Sequence, residues 1–412
     1  MKYNVKLLMF FILLSIGFAK ILFAVKYENN LFIKGVRPMG MGGAFTAIAD
    51  DENAFFYNCA GITQIYDDTL QIFSLRADVD NHVAKAYAFY NENKDNILHF
   101  TDLSPEKQGE FVDKIVSNML NCAPNVLVSL PNILFIKRPI DINRSKNSLN
   151  FGLGFFSYVK AIGEFDKGEL LPSLSYKCEV TGVGILPIAF RIYSLNSGVL
   201  SLGVNLKYMY RLVNSKEELS LIEIGKLDFG GNFFDATAFG MDFGVIYYLN
   251  SRWHFGINAT DLYNSQFKYK KSKIRFGDDK KSDSIADTYD PQEINPILNI
   301  GCAYIPEKLY YWPGSYIYTN DNITFAFDLT DLNNPNESFS LTPFKKVHIG
   351  TECRLTPFSL RAGLNSGYLS FGAGIRLKAV NLEYAFYGEE KGILPGQDPD
   401  WIHGFLLSIK LR

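Results

Sequence analysis

The segment Ser201–Leu212 has the sequence Ser-Leu-Gly-Val-Asn-Leu-Lys-Tyr-Met-Tyr-Arg-Leu, in which apolar and polar residues alternate. Successive side chains of a β-strand point to opposite faces, so Leu206 and Tyr208 share one face while Asn205 and Lys207 share the other. The alternation therefore predicts a strand with one apolar face and one polar face.

The same alternation recurs through the second half of the chain. One face is apolar each time, and the other has glycine together with Asp, Asn, Glu, Lys or Arg. The further segments are Phe239–Tyr247, Trp253–Asn258, Val347–Leu355, Leu369–Leu377, Val380–Phe386 and His403–Leu411. Soluble β-sandwiches also alternate, so the pattern alone does not identify the surroundings of the apolar face.

The lengths of the connections distinguish a membrane barrel from a sandwich. Counted back from the last candidate strand, Trp401–Arg412, long connections alternate with mostly tight turns. The long set is 91–123, 162–173, 214–235, 264–293, 333–343 and 388–400, and the tight set is 195–197, 250–251, 356–357 and 378–379. Long outer loops with short periplasmic turns are typical of outer-membrane barrels. Two connections fit less well, because 307–320 is long for an inner turn and 365–367 is short for an outer loop.

The sequence thus predicts an all-β fold, a closed antiparallel transmembrane β-barrel. Fifteen candidate strands can be identified, and because single-chain bacterial barrels have even numbers, one of them is wrong. We favour fourteen strands, with Thr69–Ala77 outside the regular wall; sixteen, with an extra early strand such as Leu31–Val36, is the alternative. Aromatic residues near strand ends are expected at the head-group levels. These are Tyr247, Tyr248, Trp253, 310–312, Tyr387 and Trp401.

Two of the long outer loops have distinct sequences. Loop 91–123 contains a predicted helix with Ser104 as N-cap, Pro105 in the first turn and an apolar stripe that includes Phe111 and Ile115. Loop 264–293 is dense in charged residues, so we expect it to form a solvated flap.

Composition agrees with a barrel and excludes several other classes. The 412 residues include 41 Lys and Arg against 43 Asp and Glu, a balance that does not indicate a nucleic-acid-binding protein. The mean hydropathy of -0.01 is too low for a helical membrane bundle, whereas 34 Phe, 24 Tyr and 3 Trp are many for a soluble enzyme. A wet lumen combined with a lipid-facing exterior accounts for both values.

The N-terminus has the order of a secretory signal peptide. Two lysines in residues 1–6 precede the almost wholly apolar run Leu7–Phe18, and the small residues Ala19 and Ala24 follow. We expect residues 1–24 to be cleaved, which would export the chain to the outer membrane of a diderm bacterium. The alternative is an N-terminal anchor helix, but Lys20 interrupts the apolar run.

No catalytic or metal-binding motif is present. The five cysteines are single and widely spaced, and neither G-x-S-x-G, H-E-x-x-H nor a P-loop occurs. We therefore expect no enzyme activity, no metal and no cofactor, although His403 at the outer rim is the one histidine worth testing for catalysis. Two other histidines lie on the polar faces of strands, with an amide and two charged side chains, and are expected to form hydrogen bonds in the lumen. This polar lumen set is His254, Asn258, His348, Glu352 and Arg354.

The segment 35–61 has the sequence Gly-Val-Arg-Pro-Met-Gly-Met-Gly-Gly-Ala-Phe-Thr-Ala-Ile-Ala-Asp-Asp-Glu-Asn-Ala-Phe-Phe-Tyr-Asn-Cys-Ala-Gly. Glycine and alanine at this density allow a backbone to pack closely against a wall. Arg37, Asp50, Asp51 and Asn53 are available to bond with polar groups of a lumen.

This segment resembles the N-terminal signature of the FadL-like outer-membrane proteins, including the PorV branch and an uncharacterised spirochaete family. The resemblance extends from Arg37 to Gly61, and His348–Phe386 looks like the last strands of the same group. It implies a fourteen-stranded barrel, residues 67–412, that is plugged by an N-terminal hatch, residues 25–66. It also implies that a small hydrophobic ligand enters from outside and leaves sideways through the wall. Cys59 occupies the position of the family's proline.

Three functions are compatible with this resemblance. The first is passive uptake of a hydrophobic, fatty-acid-like small molecule by a monomeric channel surrounded by outer-membrane lipid. The second is a PorV-like scaffold that binds an exported protein in secretion or surface display, and the third is a polar porin, which is disfavoured if the hatch fills the lumen. The residues expected to gate and position the hatch are Arg37, Gly40, Gly42, Gly43, Asp50, Asp51, Asn58 and Ala60.

Overall fold

A computed structural model describes most of the chain after the predicted signal peptide. The described residues are 34–119, 122–129, 132–142, 147–166, 173–193, 198–220, 232–262, 266–275, 289–312, 315–320, 322–333, 343–391 and 396–411. The predicted signal peptide, and with it the start of the predicted hatch, lies outside this range. The alternative strand Leu31–Val36 is mostly outside it too, and Val36 begins a helix instead.

Fourteen antiparallel strands form a closed barrel in the part of the chain that the structure describes. One strand consists of three short segments in series, β2 Asn125–Ser129, β3 Ile133–Ile136 and β4 Ile140–Asp141, and another consists of β9 Trp253–Thr260 continued by β11 Lys270–Arg275. The segments of the wall are β1 Thr69–Asp80, β2 Asn125–Ser129, β3 Ile133–Ile136, β4 Ile140–Asp141, β5 Ser148–Asp166, β6 Ser173–Tyr193, β7 Val199–Ser220, β8 Asn232–Tyr248, β9 Trp253–Thr260, β11 Lys270–Arg275, β13 Ile297–Tyr304, β16 Ile323–Leu329, β17 Val347–Leu355, β18 Phe358–Asn365, β19 Tyr368–Leu377, β20 Val380–Glu390 and β21 Pro399–Leu411. Two further pairs lie outside the wall, β10 Gln266–Phe267 with β12 Gln292–Glu293 and β14 Lys308–Trp312 with β15 Ser315–Tyr318.

The first strand closes the ring. Strand β1 pairs with β21 on one side and with β2 and β3 on the other. The prediction that Thr69–Ala77 lies outside the wall is therefore wrong.

The surplus among the fifteen candidates has a local cause. The outer connection begins at Asn81 and not at 91, because helix α3, Asn81–Leu98, follows β1 directly. Asp80 caps this helix by accepting a hydrogen bond from the backbone N–H of Val83 at 2.9 Å. The Val, Ala and aromatic residues of this stretch fit the period of a helix as well as the alternation of a strand. The sequence therefore predicts one strand too many here.

The remaining helices belong to the hatch and the loops. The hatch contains α1 Val36–Gly40, α2 Ala54–Tyr57 and a 3₁₀ helix Cys59–Gln64; the loops contain a 3₁₀ helix Phe100–Asp102, α4 Pro105–Met119 and α5 Pro343–Lys346. The predicted loop helix is confirmed as α4. Its buried residues are Phe111, Ile115 and Met119, which pack against Phe89 of α3. Among the described residues, no helix is both long enough and apolar enough to cross a bilayer.

The two faces of the strands have the predicted surroundings. Leu206 and Tyr208 are exposed on the outside of the barrel, whereas Asn205 and Lys207 are buried on the inside. Among the predicted girdle residues, Trp253 and Tyr247 face outward. The prediction is wrong for Tyr248 and Tyr387, because both side chains are buried inside the barrel.

The described lysines of the charged loop 264–293, Lys268, Lys270 and Lys271, are exposed, as expected for a solvated flap. Phe267 at the start of the loop and Ile294 just after its end are buried instead. The ring of Phe267 packs under the guanidinium of Arg211, whose Cζ lies 4.4 Å from the ring centroid. The base of this loop therefore turns into the mouth of the barrel, since its aromatic residues find an apolar surface there.

Paired glycines on the inner face allow the hatch to lie directly on the wall. Gly203 of β7 lies opposite Gly244 of β8, and Gly350 of β17 lies opposite Gly363 of β18. A Cβ at Gly203 would lie 2.4 Å from the backbone nitrogen of Ala60. The glycines therefore provide room for hatch backbone where any other residue would have a side chain.

We predict that Gly203→Ala destabilises the folded barrel by about 1–3 kcal/mol, the usual cost of overpacking. Gly182→Ala is the matched control, because a Cβ at Gly182 of the neighbouring strand would meet no atom within 4 Å. The measurement is the midpoint of unfolding in detergent, detected by the difference in electrophoretic mobility between the folded and the unfolded barrel. Equal midpoints for the two variants would contradict the close contact between hatch and wall.

Candidate functional site

Arg37 joins three parts of the molecule through one buried guanidinium. Its Nε and Nη2 donate to the two carboxylate oxygens of Glu352 on β17, at 2.9 and 2.7 Å. Its Nη1 donates to Asp50 at 2.5 Å and to Asp51 at 2.7 Å. Arg37 is in α1 and the two aspartates are in the following hatch turn, so a single side chain fixes both hatch segments to the wall.

Two arginines of the wall complete this charge cluster. The Nε atoms of Arg361 and Arg354 donate to Glu352 at 2.7 and 2.8 Å. A second nitrogen of Arg354 donates to Asp50 at 3.0 Å. The three arginines balance the carboxylates of Glu352, Asp50 and Asp51, which is what allows so many charges to be buried together.

The hatch turn at Gly42 and Gly43 depends on positive φ angles and on contact with the wall. The φ angles are +67° and +82°, and a Cβ at Gly42 would lie 2.4 Å from the carbonyl oxygen of Ile349. Nδ1 of His348 lies 2.7 Å from the carbonyl oxygen of Gly42 and Nε2 lies 2.9 Å from the hydroxyl of Thr330. Because a carbonyl can only accept, Nδ1 bears the hydrogen and Nε2 of the neutral ring accepts from Thr330.

A carboxylate of the wall holds the next hatch segment. Asp328 of β16 accepts hydrogen bonds from the backbone N–H groups of Phe45 and Thr46, both at 2.7 Å. These two donors would otherwise be buried without partners, since both residues are fully enclosed.

Asn58 of the hatch provides a hydrogen-bond donor for buried carbonyl groups, as Asp328 provides an acceptor for buried N–H groups. Its side-chain nitrogen donates to the carbonyl of Thr46 at 2.9 Å, and to the wall carbonyls of Val245 and Ile257 at 3.1 and 3.2 Å. Its side-chain oxygen accepts from the backbone of Ala60 at 3.2 Å. One amide thus bonds to β8, to β9 and to two hatch segments.

The end of the hatch is hydrogen-bonded to the last residues of β6 and the first residues of β7. Thr63 and Ser201 of β7 share a hydrogen bond of 2.8 Å between their hydroxyl oxygens. Arg191 of β6 donates to the carbonyl of Thr63 at 3.2 Å and to the hydroxyl of Tyr66 at 2.6 Å. The hatch is therefore bonded to the wall at its beginning, in its middle and at its end.

The structure brings most of the predicted site residues into these contacts. Gly40 belongs to the same surface, because its Cα is so near Gly372 that a Cβ on Gly40 would lie 2.9 Å from the Cα of Gly372. Asn258 is buried on the inner face beside the bonded carbonyl of Ile257. His254 lies apart from the hatch contacts named above, with its ring packed edge-on against Tyr248 at 4.7 Å.

Sequence reasoning missed several residues that bind the hatch. They are Gly203, Ser201, Asn205, Asp328 and Arg361, each a small or polar residue on the inner parity of its strand. The alternation along each strand indicates that all five side chains point into the lumen. It does not indicate which of the inward-facing residues contact the hatch backbone. Asn205, for example, donates to the carbonyl of Phe55 at 2.9 Å.

One cluster of buried apolar side chains includes residues of the hatch, the loops and the wall. It contains Phe267 and Ile294 beside the outer loop, Phe45 and Phe55 of the hatch, and Phe156 of β5. Leu134 and Ile136 of β3 belong to it as well. Apolar side chains of the hatch therefore pack in the same cluster as those of β3, β5 and the base of the outer loop.

The pairing of the strand formed by β2 and β3 with β5 changes register between β2 and β3. Ser129 at the end of β2 lies opposite Tyr158, whereas Ile133 at the start of β3 lies opposite Phe155. Four steps on one strand thus correspond to three on the other. Next to this change of register, the side chain of Asn132 accepts a hydrogen bond from the backbone N–H of Ser157 at 2.7 Å.

Cysteine and metal chemistry contribute no site in the described residues. The five cysteines are free, and burial raises the pKa of the Cys59 thiol, so it stays protonated. No group of three or more His, Cys, Asp or Glu side chains in the described ranges is arranged to hold a metal ion. His403 lies on the outer face, where Nδ1 is 2.8 Å from the hydroxyl of Tyr384.

Comparison with known proteins gives similarities in sequence and in fold. The family model described as "F plasmid transfer operon, TraF, protein" matches residues 176–316, about a third of the chain. No curated protein matches the sequence.

Solved structures similar to this chain include two toluene transporters and a FadL homologue. The toluene transporter TodX of Pseudomonas putida is 12% identical, with 95% of this chain and 98% of TodX covered and a TM-score of 0.45. The toluene transporter TbuX of Ralstonia pickettii is 12% identical, with 92% and 98% covered and a TM-score of 0.49. A FadL homologue of Pseudomonas aeruginosa is 11% identical, with 92% and 97% covered and a TM-score of 0.42. These similarities concern the fold alone; the predicted closed barrel of fourteen strands is confirmed by the strand pairing itself.

We predict that Arg37→Ala loosens the hatch and raises single-channel conductance in planar bilayers. Removing one partner of a buried ion pair costs about 3–5 kcal/mol, and a lysine at this position cannot restore the two-pronged contact with Glu352. Arg354→Ala is the comparison variant and should raise conductance less, because that side chain of the same cluster is 40% exposed and its ion pairs are partly screened by water. Unchanged conductance in Arg37→Ala would contradict a hatch held by this cluster.

We also predict that Asn58→Asp destabilises the hatch more than Asn58→Ala at neutral pH. The new carboxylate would face three carbonyl oxygens without a hydrogen to donate, a repulsion that raises its pKa. Its cost therefore appears as the pH rises through that raised pKa and disappears in acid, where the protonated group can donate. Limited proteolysis of the hatch at neutral and acidic pH measures the effect, and identical cleavage of the two variants at both pH values would refute it.

Proposed function

We propose that this chain is an outer-membrane channel for passive uptake of hydrophobic small molecules, gated by its N-terminal hatch. The observation that supports this function is the cluster of buried apolar side chains that includes Phe267, Phe55 and Phe156. In this proposal an apolar solute that enters at the mouth passes along these side chains when the hatch moves. It would need no energy source, because it moves down its concentration gradient into the bilayer.

The exit in this proposal is the part of the wall where the pairing with β5 changes register between β2 and β3. The apolar residues Leu134 and Phe156 are buried on the inner side of the wall near this point. A solute that left through the wall would pass directly into hydrocarbon and would not cross the aqueous periplasm.

The gate in this proposal is the hatch itself. Phe55 of the hatch and Phe156 of the wall pack edge-to-face within the apolar cluster, with ring centroids 5.5 Å apart. Both side chains are buried, so in this proposal a solute passes only when the hatch moves. Arg37, Gly42, Asn58 and Thr63 would hold the closed position.

A reversible crosslink tests uptake and gating together. The hydroxyl oxygens of Thr63 and Ser201 are 2.8 Å apart, so Thr63→Cys with Ser201→Cys places two thiols within disulfide reach. The oxidised double variant should take up radiolabelled oleate or toluene about tenfold more slowly, as expected when opening costs at least 1.4 kcal/mol more. Reductant should restore the rate.

The two single-cysteine variants are the matched controls, and their uptake rates should be the same under oxidising and reducing conditions. Equal uptake by the oxidised and reduced double variant, with the crosslink verified by mass spectrometry, would refute hatch gating. If membranes that contain the unmodified chain take up neither probe faster than membranes that lack it, the uptake proposal itself fails.

The second candidate, a scaffold barrel that binds an exported protein, is favoured by the outer helical loop. Helices α3 and α4 pack on a buried cluster of their own that includes Phe89, Phe100 and Phe111. A loop with its own core offers a stable outer surface for a partner. Failure of uptake with both probes would make this candidate the better one.

A further inference from the structure

A narrow apolar groove lies on the outer face of the barrel, where β1 meets β19, β20 and β21. Its volume is about 370 Å³. One row across the four strands consists of Ala373, Tyr384, Phe405 and Ala77, each paired with the next. The two alanines leave space where the neighbouring outward position Phe371 has a large side chain.

The second row of the groove is wholly aliphatic. Ile375, Leu382, Leu407 and Leu75 are aligned across the same four strands. Leu382 is 43% exposed and faces outward, so this row faces the hydrocarbon of the bilayer. The groove thus presents an apolar surface on which a flexible hydrocarbon chain can lie.

A polar pair stands directly at the outer end of the groove. His403 and Tyr384 are hydrogen-bonded at 2.8 Å on the outward face. Two residues earlier on β21 is Trp401, which stacks on Phe386 with ring centroids 5.3 Å apart. Tryptophan is enriched at the head-group level, and two strand residues correspond to about 7 Å, so the pair is just below that level.

The imidazole of His403 retains an unused hydrogen-bonding atom. Among the residues that the structure describes, Nε2 of His403 has no partner. A polar atom that faces hydrocarbon without a partner is costly. When the Tyr384 hydroxyl donates to Nδ1, Nε2 bears a hydrogen and needs an acceptor from the bilayer.

We propose that this groove binds one membrane phospholipid of the outward-facing leaflet. One acyl chain lies along the two rows, and an ester or phosphate oxygen accepts a hydrogen bond from Nε2 of His403. The distance along β21 from His403 to Leu407 is about 14 Å, which suits the upper part of an acyl chain. The inference depends on the barrel being in a bilayer and does not depend on uptake.

Photocrosslinking locates the bound chain. The barrel is reconstituted in vesicles of palmitoyl-oleoyl-phosphatidylglycerol that contain a small fraction of the same lipid with a diazirine in its palmitoyl chain. After irradiation, mass spectrometry should find adducts concentrated on peptides that include Ala373, Tyr384 and Phe405. Adducts spread evenly over all outward-facing strands would overturn the proposal.

Two matched variants distinguish an effect of filling the groove from an effect of adding a large side chain anywhere on the outer surface. Ala373→Trp should reduce the adducts at the groove to the level of other outward peptides. Leu369→Trp places the same side chain on the same face of β19 outside the groove and should leave them unchanged. Equal adduct yields in these two variants would overturn the proposal.

The polar contact and the identity of the occupant are tested in the same assay. His403→Leu should weaken binding about tenfold, the ratio expected for one ordinary hydrogen bond; an unchanged yield would overturn the head-group contact. Excess oleate should not displace the lipid adducts. If it does, the groove is a site for transported solute and the phospholipid assignment is wrong.

Discussion

A barrel of fourteen strands is too wide for its own side chains to fill, and this constraint determines the structure of the hatch. Eight strands enclose a space that side chains can pack, whereas sixteen or more leave a water-filled channel. Here the hatch occupies the lumen as a folded segment with its own helices. The backbone groups of that segment are buried, so the wall must provide partners for them.

The wall satisfies this requirement with two kinds of residue. Glycines such as Gly203 and Gly350 let the two backbones approach, and polar side chains bond to hatch backbone between them. Asp328 accepts from N–H groups of the hatch, and Asn205 donates to a hatch carbonyl. In the other direction, Asn58 of the hatch donates to two carbonyls of the wall. The ion cluster around Arg37 is the strongest of these contacts, because it joins two hatch segments to β17 with charge-assisted hydrogen bonds.

Much of this architecture could be predicted from the sequence, for physical reasons. Period-2 alternation specified the faces of the strands, and the motif from Arg37 to Gly61 specified the hatch. The helix at Asn81 was missed because its residues fit a strand as well as a helix, and the place of β1 in the wall was missed with it. The pairing of Arg37 with Glu352 joins residues 315 positions apart, and no local pattern indicates which strand faces which part of the hatch.

Hydrogen–deuterium exchange of the folded barrel in detergent tests the central claim, a hatch folded within the lumen. Residues 36–64 are mostly buried, and we expect their amides to exchange as slowly as those of the wall strands. Exchange of this segment as fast as that of an unstructured chain, with the wall strands still protected, would show that the hatch is not held in the lumen.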